Sequence, residues 1–211
     1  MPSEHILLVE GKDDLHVIVH LWKVYELPEN HFEAIDCESY DKLLNDHLEP
    51  RFKASSPPKI LGIVVDADDD SASRWDAVKK RLVDVGYKDL PPALNKNGTI
   101  IERSTDLPKV GIWIMPDNSS KGMLEDFLAL LAPEEAMKFA GSCVADAEDK
   151  GFSSFKEAHR SKAEIHTYLA WQNEPGNPLG ISIDANALDA NLPVAEQFIQ
   201  FLKSLFDIDN E

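Results

Sequence analysis

The stretch Ile60-Leu61-Gly62-Ile63-Val64-Val65-Asp66-Ala67-Asp68 joins an apolar run to a pair of carboxylates. An unbroken apolar run of this length is typical of a strand that is buried on both faces, as in a parallel sheet. Ile6-Leu7-Leu8-Val9 is a second such run, and Glu10-Gly11-Lys12-Asp13-Asp14 follows it directly. Because ligands bind at the carboxyl ends of strands in open α/β sheets, we expect the two acidic segments to share one site.

The rest of the chain alternates between strand and helix patterns before it becomes largely helical. Such an alternation predicts right-handed crossovers and an α/β fold whose mainly parallel sheet lies between helices. We place this α/β domain, which carries the expected site, in residues 1–132 and a helical C-terminal extension, packed on it, in residues 133–211. The further predicted strands are 32–37, 99–103 and 110–115, the last two as a hairpin or as adjacent strands; the predicted helices are 15–25, 41–52, 71–85, 123–131, 133–149, 155–172 and 194–206.

The composition restricts the class of protein. The 211 residues include 38 Asp and Glu against 21 Lys and Arg, a formal net charge of −17, which opposes non-specific attraction to a phosphate backbone. A bound cation would reverse the sign of the field locally. Cys37 and Cys143 are too few for a disulfide framework or a four-cysteine zinc site. With no apolar stretch of membrane-spanning length and no signal pattern, we expect a cytoplasmic protein without a membrane partner.

The spacing of the acids predicts a site for a divalent ion. Asp14 follows Glu10 by about one helical turn, and Asp66 and Asp68 would share a face if the chain stayed extended. Clustered carboxylates repel one another unless they bind protons or a cation. Glu125-Asp126, which opens a later helix, could hold a second cation or consist of ordinary first-turn acids. The other interpretation of all these acids is as helix caps.

Other metal and phosphate motifs are excluded by their spacing. A calcium-binding EF-hand loop beginning at Asp66 would require Gly at position 71 and Glu at position 77, where the chain has Ser71 and Ala77. No P-loop is present in the sequence. His16 and His20 share a helix face without forming the His-Glu-x-x-His zinc pattern, so we interpret them as surface or packing residues.

The acidic segments resemble a known pattern. Val9-Glu10-Gly11-Lys12-Asp13-Asp14, followed one crossover later by Asp66-Ala67-Asp68, is similar to the Toprim domain of topoisomerases, bacterial-type primases and the OLD family of nucleases. The helical part, with Glu125-Asp126, Lys162-Ala163 and Tyr168-Leu169-Ala170, looks most like the stand-alone OLD-type members. The resemblance implies a Mg²⁺ or Mn²⁺ cofactor and a compact Toprim-like sheet between helices. The implied site residues are Glu10 as general acid or base and ligand, Asp66 and Asp68 as ligands, Asp14 and Glu125 as supports of a second ion, and Lys162 as the group that stabilises developing charge.

The departures from the family narrow the expected activity. The sequence shows no separate domain for a nucleophilic tyrosine, as a topoisomerase needs, and no zinc-binding or basic template-binding module, as a primase needs. Metal-dependent hydrolysis of a phosphodiester in nucleic acid remains, with DNA favoured over RNA. Two alternatives stay open: a non-catalytic Toprim-like module that binds a partner protein or nucleotide, and a nucleotidyl or nucleotide-sugar transferase. For Lys162, a solvated helix position also stays open. The protein partners that we consider are a separate ATPase and a second copy of the chain in a homodimer.

Overall fold

A computed structural model describes residues 4–208 and contains one five-stranded sheet. The strands lie in the order β2-β1-β3-β5-β4, and β4 alone is antiparallel, paired with β5. The expected α/β class with a mainly parallel sheet flanked by helices is therefore confirmed. The strands are β1 His5–Val9, β2 Glu33–Asp36, β3 Ile60–Asp66, β4 Thr99–Ile101 and β5 Lys109–Met115.

The helices cover both faces of this sheet. A π-helical turn, Leu43–Leu48, joins α2 to α3, so the helix predicted over 41–52 is one continuous helical stretch. A 3₁₀ turn, Glu157–His159, leads into α7. The α-helices are α1 Lys12–Val24, α2 Tyr40–Lys42, α3 Glu49–Phe52, α4 Ser71–Asp84, α5 Leu124–Ala129, α6 Glu134–Asp149, α7 Arg160–Leu169, α8 Leu179–Asp184 and α9 Pro193–Leu205.

Helix α8 was not predicted, because six residues are too few to establish a helical period. It packs on α1, where Gly180 allows a close crossing: an added Cβ would lie 2.6 Å from His20 Cδ2 and 2.9 Å from the carbonyl oxygen of His16. Asp184 then pairs with His20 at 3.0 Å and with Lys23 at 2.6 Å. His16 and His20 therefore lie at a helix–helix contact, as expected for packing residues.

Alternate residues of the strands face two separate hydrophobic cores. Leu8 and Ile63 face a core that includes α4 and the 40–52 helical stretch. Leu7 and Val64 face the other core, which includes α1, α5, α7, α8 and α9. The C-terminal helices thus share a core with the sheet, and the division of the chain at residue 132 stays a prediction.

Helix α9 lies directly against the sheet because two glycines leave room for it. Gly62 of β3 and Gly111 of β5 are register partners. A Cβ added at Gly111 would lie 2.6 Å from Leu205 Cδ2, and one added at Gly62 would lie 3.0 Å from the same atom. The side chain of Leu205 therefore fills the space at Gly111 and shares the space at Gly62 with Leu7. No helix within residues 4–208 is long and apolar enough to cross a membrane.

Candidate metal-binding site

Four carboxylates gather at the carboxyl ends of the central strands. Glu10 follows β1, Asp66 ends β3, and Asp14 and Glu125 lie in the first turns of α1 and α5. The backbone N–H of Asp66 donates to Glu10 Oε2 at 3.2 Å, a contact between residues 56 positions apart. The N–H of Leu124 donates to Asp66 Oδ1 at 2.9 Å, which ties the start of α5 to β3. We refer to Glu10, Asp14, Asp66 and Glu125 as the acidic set.

Asp14 is the most unusual member of the acidic set. The N–H of Gly11 donates to Asp14 Oδ2 at 3.2 Å, so one carboxylate oxygen closes the beginning of α1. The other oxygen, Oδ1, is buried and has no hydrogen-bond partner. Only 6% of Asp14 is exposed. Since an unsatisfied buried polar atom is unfavourable, this oxygen calls for a proton or a cation.

The electrostatics of the acidic set agree with that requirement. Burial raises the pKa of Asp14, and the nearby charge of Glu10 raises it further. Burial also raises the pKa of Asp66, with Asp14 and Glu10 adding to the effect. The pKa of Glu10 is raised by burial, and the Asp66 N–H and the charge of Arg74 offset only part of this. Without a cation, the folded protein favours protonated carboxyls here.

Lys162 of α7 contacts the acidic set directly. Its Nζ lies 3.1 Å from Glu125 Oε1, and 47% of the lysine side chain is exposed against 4% of the glutamate. Burial opposes the charged form of Lys162, but the neighbouring Glu125 raises its pKa overall. The lysine is therefore protonated at neutral pH and partners a buried carboxylate, while its head group still reaches solvent.

Asp126, the neighbour of Glu125, holds helices together. The N–H of Met123 donates to Asp126 Oδ2 at 2.8 Å, so the carboxylate caps the beginning of α5. The hydroxyl of Ser161 donates to Asp126 Oδ1 at 2.7 Å. Both oxygens are thus engaged, and the second bond fixes the start of α7, which carries Lys162. Asp126 therefore acts as an ordinary first-turn acid of α5, whereas its neighbour Glu125 belongs to the acidic set.

The expectation that Asp66 and Asp68 share a face of an extended chain is wrong. Strand β3 ends at Asp66, and Asp68 adopts a left-handed conformation with φ of 52°. Its backbone pairs with Gly122 through bonds of 2.9 and 2.8 Å. The side chain is 49% exposed and pairs with Arg74. Asp68 therefore lies outside the acidic set, and its role as a metal ligand stays a prediction.

Arg74 and Tyr40 are site residues that the sequence pattern did not identify. Arg74 lies in the first turns of α4, and its guanidinium carbon lies 3.8 Å from the centroid of the Tyr40 ring. The available signal was topological, because α4 begins just after the strand end that carries Asp66. This signal is weak, because a single arginine that follows several acids does not form a recognisable motif. The sequence therefore did not predict a cation next to the site.

The acidic set suits Mg²⁺ or Mn²⁺ in its chemistry. Within the described range, 4–208, no three His, Cys, Asp or Glu side chains converge as a ready-made metal cage. Mg²⁺ does not require one, since it usually takes one or two carboxylates and keeps several water or substrate oxygens. The donors here are all carboxylate oxygens, which suit Mg²⁺ and Mn²⁺. The unpartnered Asp14 Oδ1 provides an oxygen to which a cation could bind.

Comparisons with known proteins give one family and two structural neighbours. No curated protein matches the chain. The C-terminal region of the Xanthomonas campestris pv. campestris OLD protein, phased with mercury, aligns at 12% identity and a TM-score of 0.45, covering 99% of this chain and 98% of that one. The platinum-phased structure of the same region aligns at 15% identity and a TM-score of 0.47, covering 98% and 95%. Over residues 4–207 the chain matches the family described as "Protein of unknown function (DUF3226)", and it belongs to that family.

Proposed function

We propose that this chain is a Mg²⁺- or Mn²⁺-dependent phosphodiesterase that cleaves nucleic acid, DNA in preference to RNA. The observation that carries the proposal is the acidic set, whose Asp14 Oδ1 is buried without a partner at the carboxyl ends of β1 and β3. The resemblance of Val9–Asp14 and Asp66–Asp68 to the Toprim motifs supports it, because the corresponding acids of that family hold Mg²⁺.

Asp14 and Asp66 are the residues that would hold the metal, and Glu125 is the proposed support of a second ion. Bound there, a divalent ion would polarise a phosphoryl oxygen and make water a better nucleophile. The chain orients its own acids for this role through the N–H of Leu124 on Asp66 and the N–H of Gly11 on Asp14. Each of these bonds leaves the other oxygen of the carboxylate available.

Glu10 is the proposed general base. In hydrolysis, the oxygen of water forms a bond to phosphorus while the bond from phosphorus to the leaving sugar oxygen breaks. Glu10 accepts a proton of the water, and solvent supplies the proton that the leaving sugar oxygen takes up. The Asp66 N–H holds Oε2 of Glu10, which orients the carboxylate as an acceptor for the proton of the water. Such a base contributes about 10²–10⁴-fold to the rate. Protonated Lys162 supplies positive charge as negative charge develops on the phosphate.

A cleavage assay with single- and double-stranded DNA and RNA tests the proposal. We expect cleavage with Mn²⁺ or Mg²⁺, loss of cleavage with a chelator, and loss of cleavage in Glu10→Gln, which keeps the shape of the side chain but removes the base. Glu135→Gln is the matched control, because Glu135 is an 88% exposed residue of α6. Full activity in Glu10→Gln, or activity that does not depend on metal, would contradict the proposal.

The second candidate is a non-catalytic module that binds a partner protein or a nucleotide. The net charge of −17 and the absence, in the described residues, of a converged three-ligand cage favour it. Calorimetric titration with Mn²⁺ separates the two candidates. The enzyme binds Mn²⁺ in the wild type and loses it in Asp14→Asn, whereas the module binds no Mn²⁺ and cleaves nothing. A separate ATPase and a homodimer stay proposed partners, and light scattering tests the second.

A further inference from the structure

Arg74 is held in a defined orientation beside the acidic set. Its Nη2 pairs with Oδ2 of Asp68, and its guanidinium lies over the ring of Tyr40, 3.8 Å from the centroid. The arginine side chain is only 16% exposed, whereas its partner Asp68 is 49% exposed. A guanidinium presents five donors in one plane, so stacking on an aromatic face fixes that plane without using the donors at its edge.

The position of Arg74 places it where the proposed substrate would lie. Its partner Asp68 lies two residues beyond Asp66, and the N–H of Asp66 donates to Glu10 Oε2 at 3.2 Å, so the guanidinium lies next to the acidic set. A phosphate on the guanidinium would therefore lie beside Glu10 and the acidic set. In a chain with a net charge of −17, an anionic substrate needs a cation at this point. Lys162 stays paired with the buried Glu125 and contributes only its charge, whereas the donors of Arg74 are paired with a half-exposed acid that solvent can replace.

We propose that Arg74, stacked on Tyr40, is a binding residue for a substrate phosphate and that Asp68 occupies its guanidinium until the phosphate binds. The planar fork of an arginine matches two phosphate oxygens, which gives a strong, charge-assisted pair of hydrogen bonds. Asp68 and the phosphate are both anions, so the phosphate replaces the carboxylate on one edge of the fork while Tyr40 keeps the plane in place. This inference rests on the proposed function, since it names the residue that receives the phosphate of that substrate.

Titration with inorganic phosphate, with and without Mn²⁺, tests the inference independently of cleavage. Phosphorus-31 line widths report binding, and broadening by Mn²⁺ reports that the phosphate lies near the metal. We expect Arg74→Gln to weaken phosphate binding by more than about tenfold and leave Mn²⁺ affinity unchanged. Arg74→Lys keeps the charge but loses the fork and the stack, so it should also bind more weakly than the wild type.

Two further variants identify the contacts that matter. Tyr40→Phe keeps the ring and should bind phosphate like the wild type, whereas Tyr40→Leu removes the ring and should bind more weakly. Arg81→Gln is the matched control, because Arg81 lies further along α4 and contacts Asn45 at 2.6 Å. It should bind phosphate normally. Melting curves of every variant show whether the fold is retained, and Arg74→Lys provides the comparison if Arg74→Gln is unstable.

The outcomes separate this inference from the proposed function. Phosphate affinity that is equal in the wild type, Arg74→Gln and Arg74→Lys overturns the inference, as does a wild type that binds no phosphate. A wild type that binds phosphate through Arg74 but cleaves no nucleic acid supports the inference and contradicts the nuclease. Cleavage that is unaffected by Arg74→Gln, with unchanged phosphate affinity, supports the nuclease and removes Arg74 from its site.

Discussion

The charged residues at the two ends of the central sheet differ in whether they have partners of opposite charge. At the amino ends of the strands, Lys59 pairs with Glu4 at 2.7 Å. Lys109, which is nearly buried, pairs with Asp207 at 2.5 Å and donates to the carbonyl oxygen of Ser204 at 2.7 Å. These lysines are matched by opposite charges, and the contacts of Lys109 fasten the end of α9 to the sheet.

At the carboxyl ends, acids outnumber the cations that touch them. Lys162 pairs with Glu125, but Asp14 Oδ1 has no partner and Asp66 is next to other acids. Burial and mutual repulsion make this end unfavourable while it is ionised. The same sheet thus has a compensated edge, where paired charges stabilise the fold, and an uncompensated edge, where excess carboxylates suit the binding of a cation.

The largest expected difference between the edges is in activity. Asp66→Asn should reduce metal-dependent cleavage by more than about 100-fold, because loss of a proposed ligand should cost more than loss of a residue that only supports a ligand. The same substitution at the amino edge, Asp207→Asn, should leave cleavage unchanged. Initial rates at saturating Mn²⁺ provide the measurement. Equal losses in the two variants would mean that Asp66 acts only through the fold.

The next largest effect is stabilisation by metal. Mn²⁺ at about 100 times its dissociation constant should raise the free energy of unfolding by about 2.7 kcal/mol, because it binds the folded chain alone. Asp14→Asn should abolish this gain, and Asp207→Asn should keep it. Thermal unfolding with and without Mn²⁺ measures the difference. A gain that persists in Asp14→Asn would place the ion elsewhere.

The third effect is the dependence of stability on pH without metal. Asp14, Asp66 and Glu10 have raised pKa values in the folded state, so the unfolded chain releases these protons first as the pH rises above the ordinary aspartate pKa of 3.8. Their contribution to stability is complete below that pH and is lost as the pH rises through the raised values. A tenfold difference in proton affinity between the folded and unfolded chain corresponds to about 1.4 kcal/mol.

Denaturation of the metal-free protein across this pH range measures the loss. Asp66→Asn should flatten the decline, since an amide does not titrate, and Mn²⁺ should oppose it at high pH. At the amino edge the dependence of stability on pH has the opposite sign. Lys59 lowers the pKa of Glu4, so the contribution of this pair to stability is lost as the pH falls. A wild-type stability that rises steadily through neutral pH, with no change in Asp66→Asn, would contradict the raised pKa values.

The smallest effect concerns the compensated edge. Lys109→Met keeps the apolar stem but removes the bonds to Asp207 and to the Ser204 carbonyl, and it should lower the free energy of unfolding by about 1 kcal/mol. Mn²⁺ binding and cleavage should not change. Denaturant unfolding, paired with the Mn²⁺ titration, provides the check. A loss of Mn²⁺ affinity in this variant would show that the two edges are coupled.

Local pattern was sufficient for most of the fold but not for all of it. The apolar runs predicted β1 and β3, since a strand buried on both faces must be apolar throughout. Helix α8 was not predicted because its packing depends on the close crossing at Gly180, and a helix of six residues has no clear hydrophobic period. Asp68 was placed wrongly because alternation holds only within a strand, and β3 ends two residues earlier. Arg74 was not predicted because the ring on which it stacks, that of Tyr40, comes from another segment and no motif links the two residues.

The order of residues alone was enough to bury β1 and β3 and to put Glu10 and Asp66 just at their ends, because apolar runs and the acids that follow them are local features. The folded arrangement settled which acids meet. Parallel pairing of Val9 with Val64 brings Glu10 within reach of the Asp66 N–H, and packing of α5 and α7 brings Glu125 and Lys162 to the same edge. Burial and charge proximity act between distant segments, so these pKa shifts and ion pairs exist only once the chain has folded.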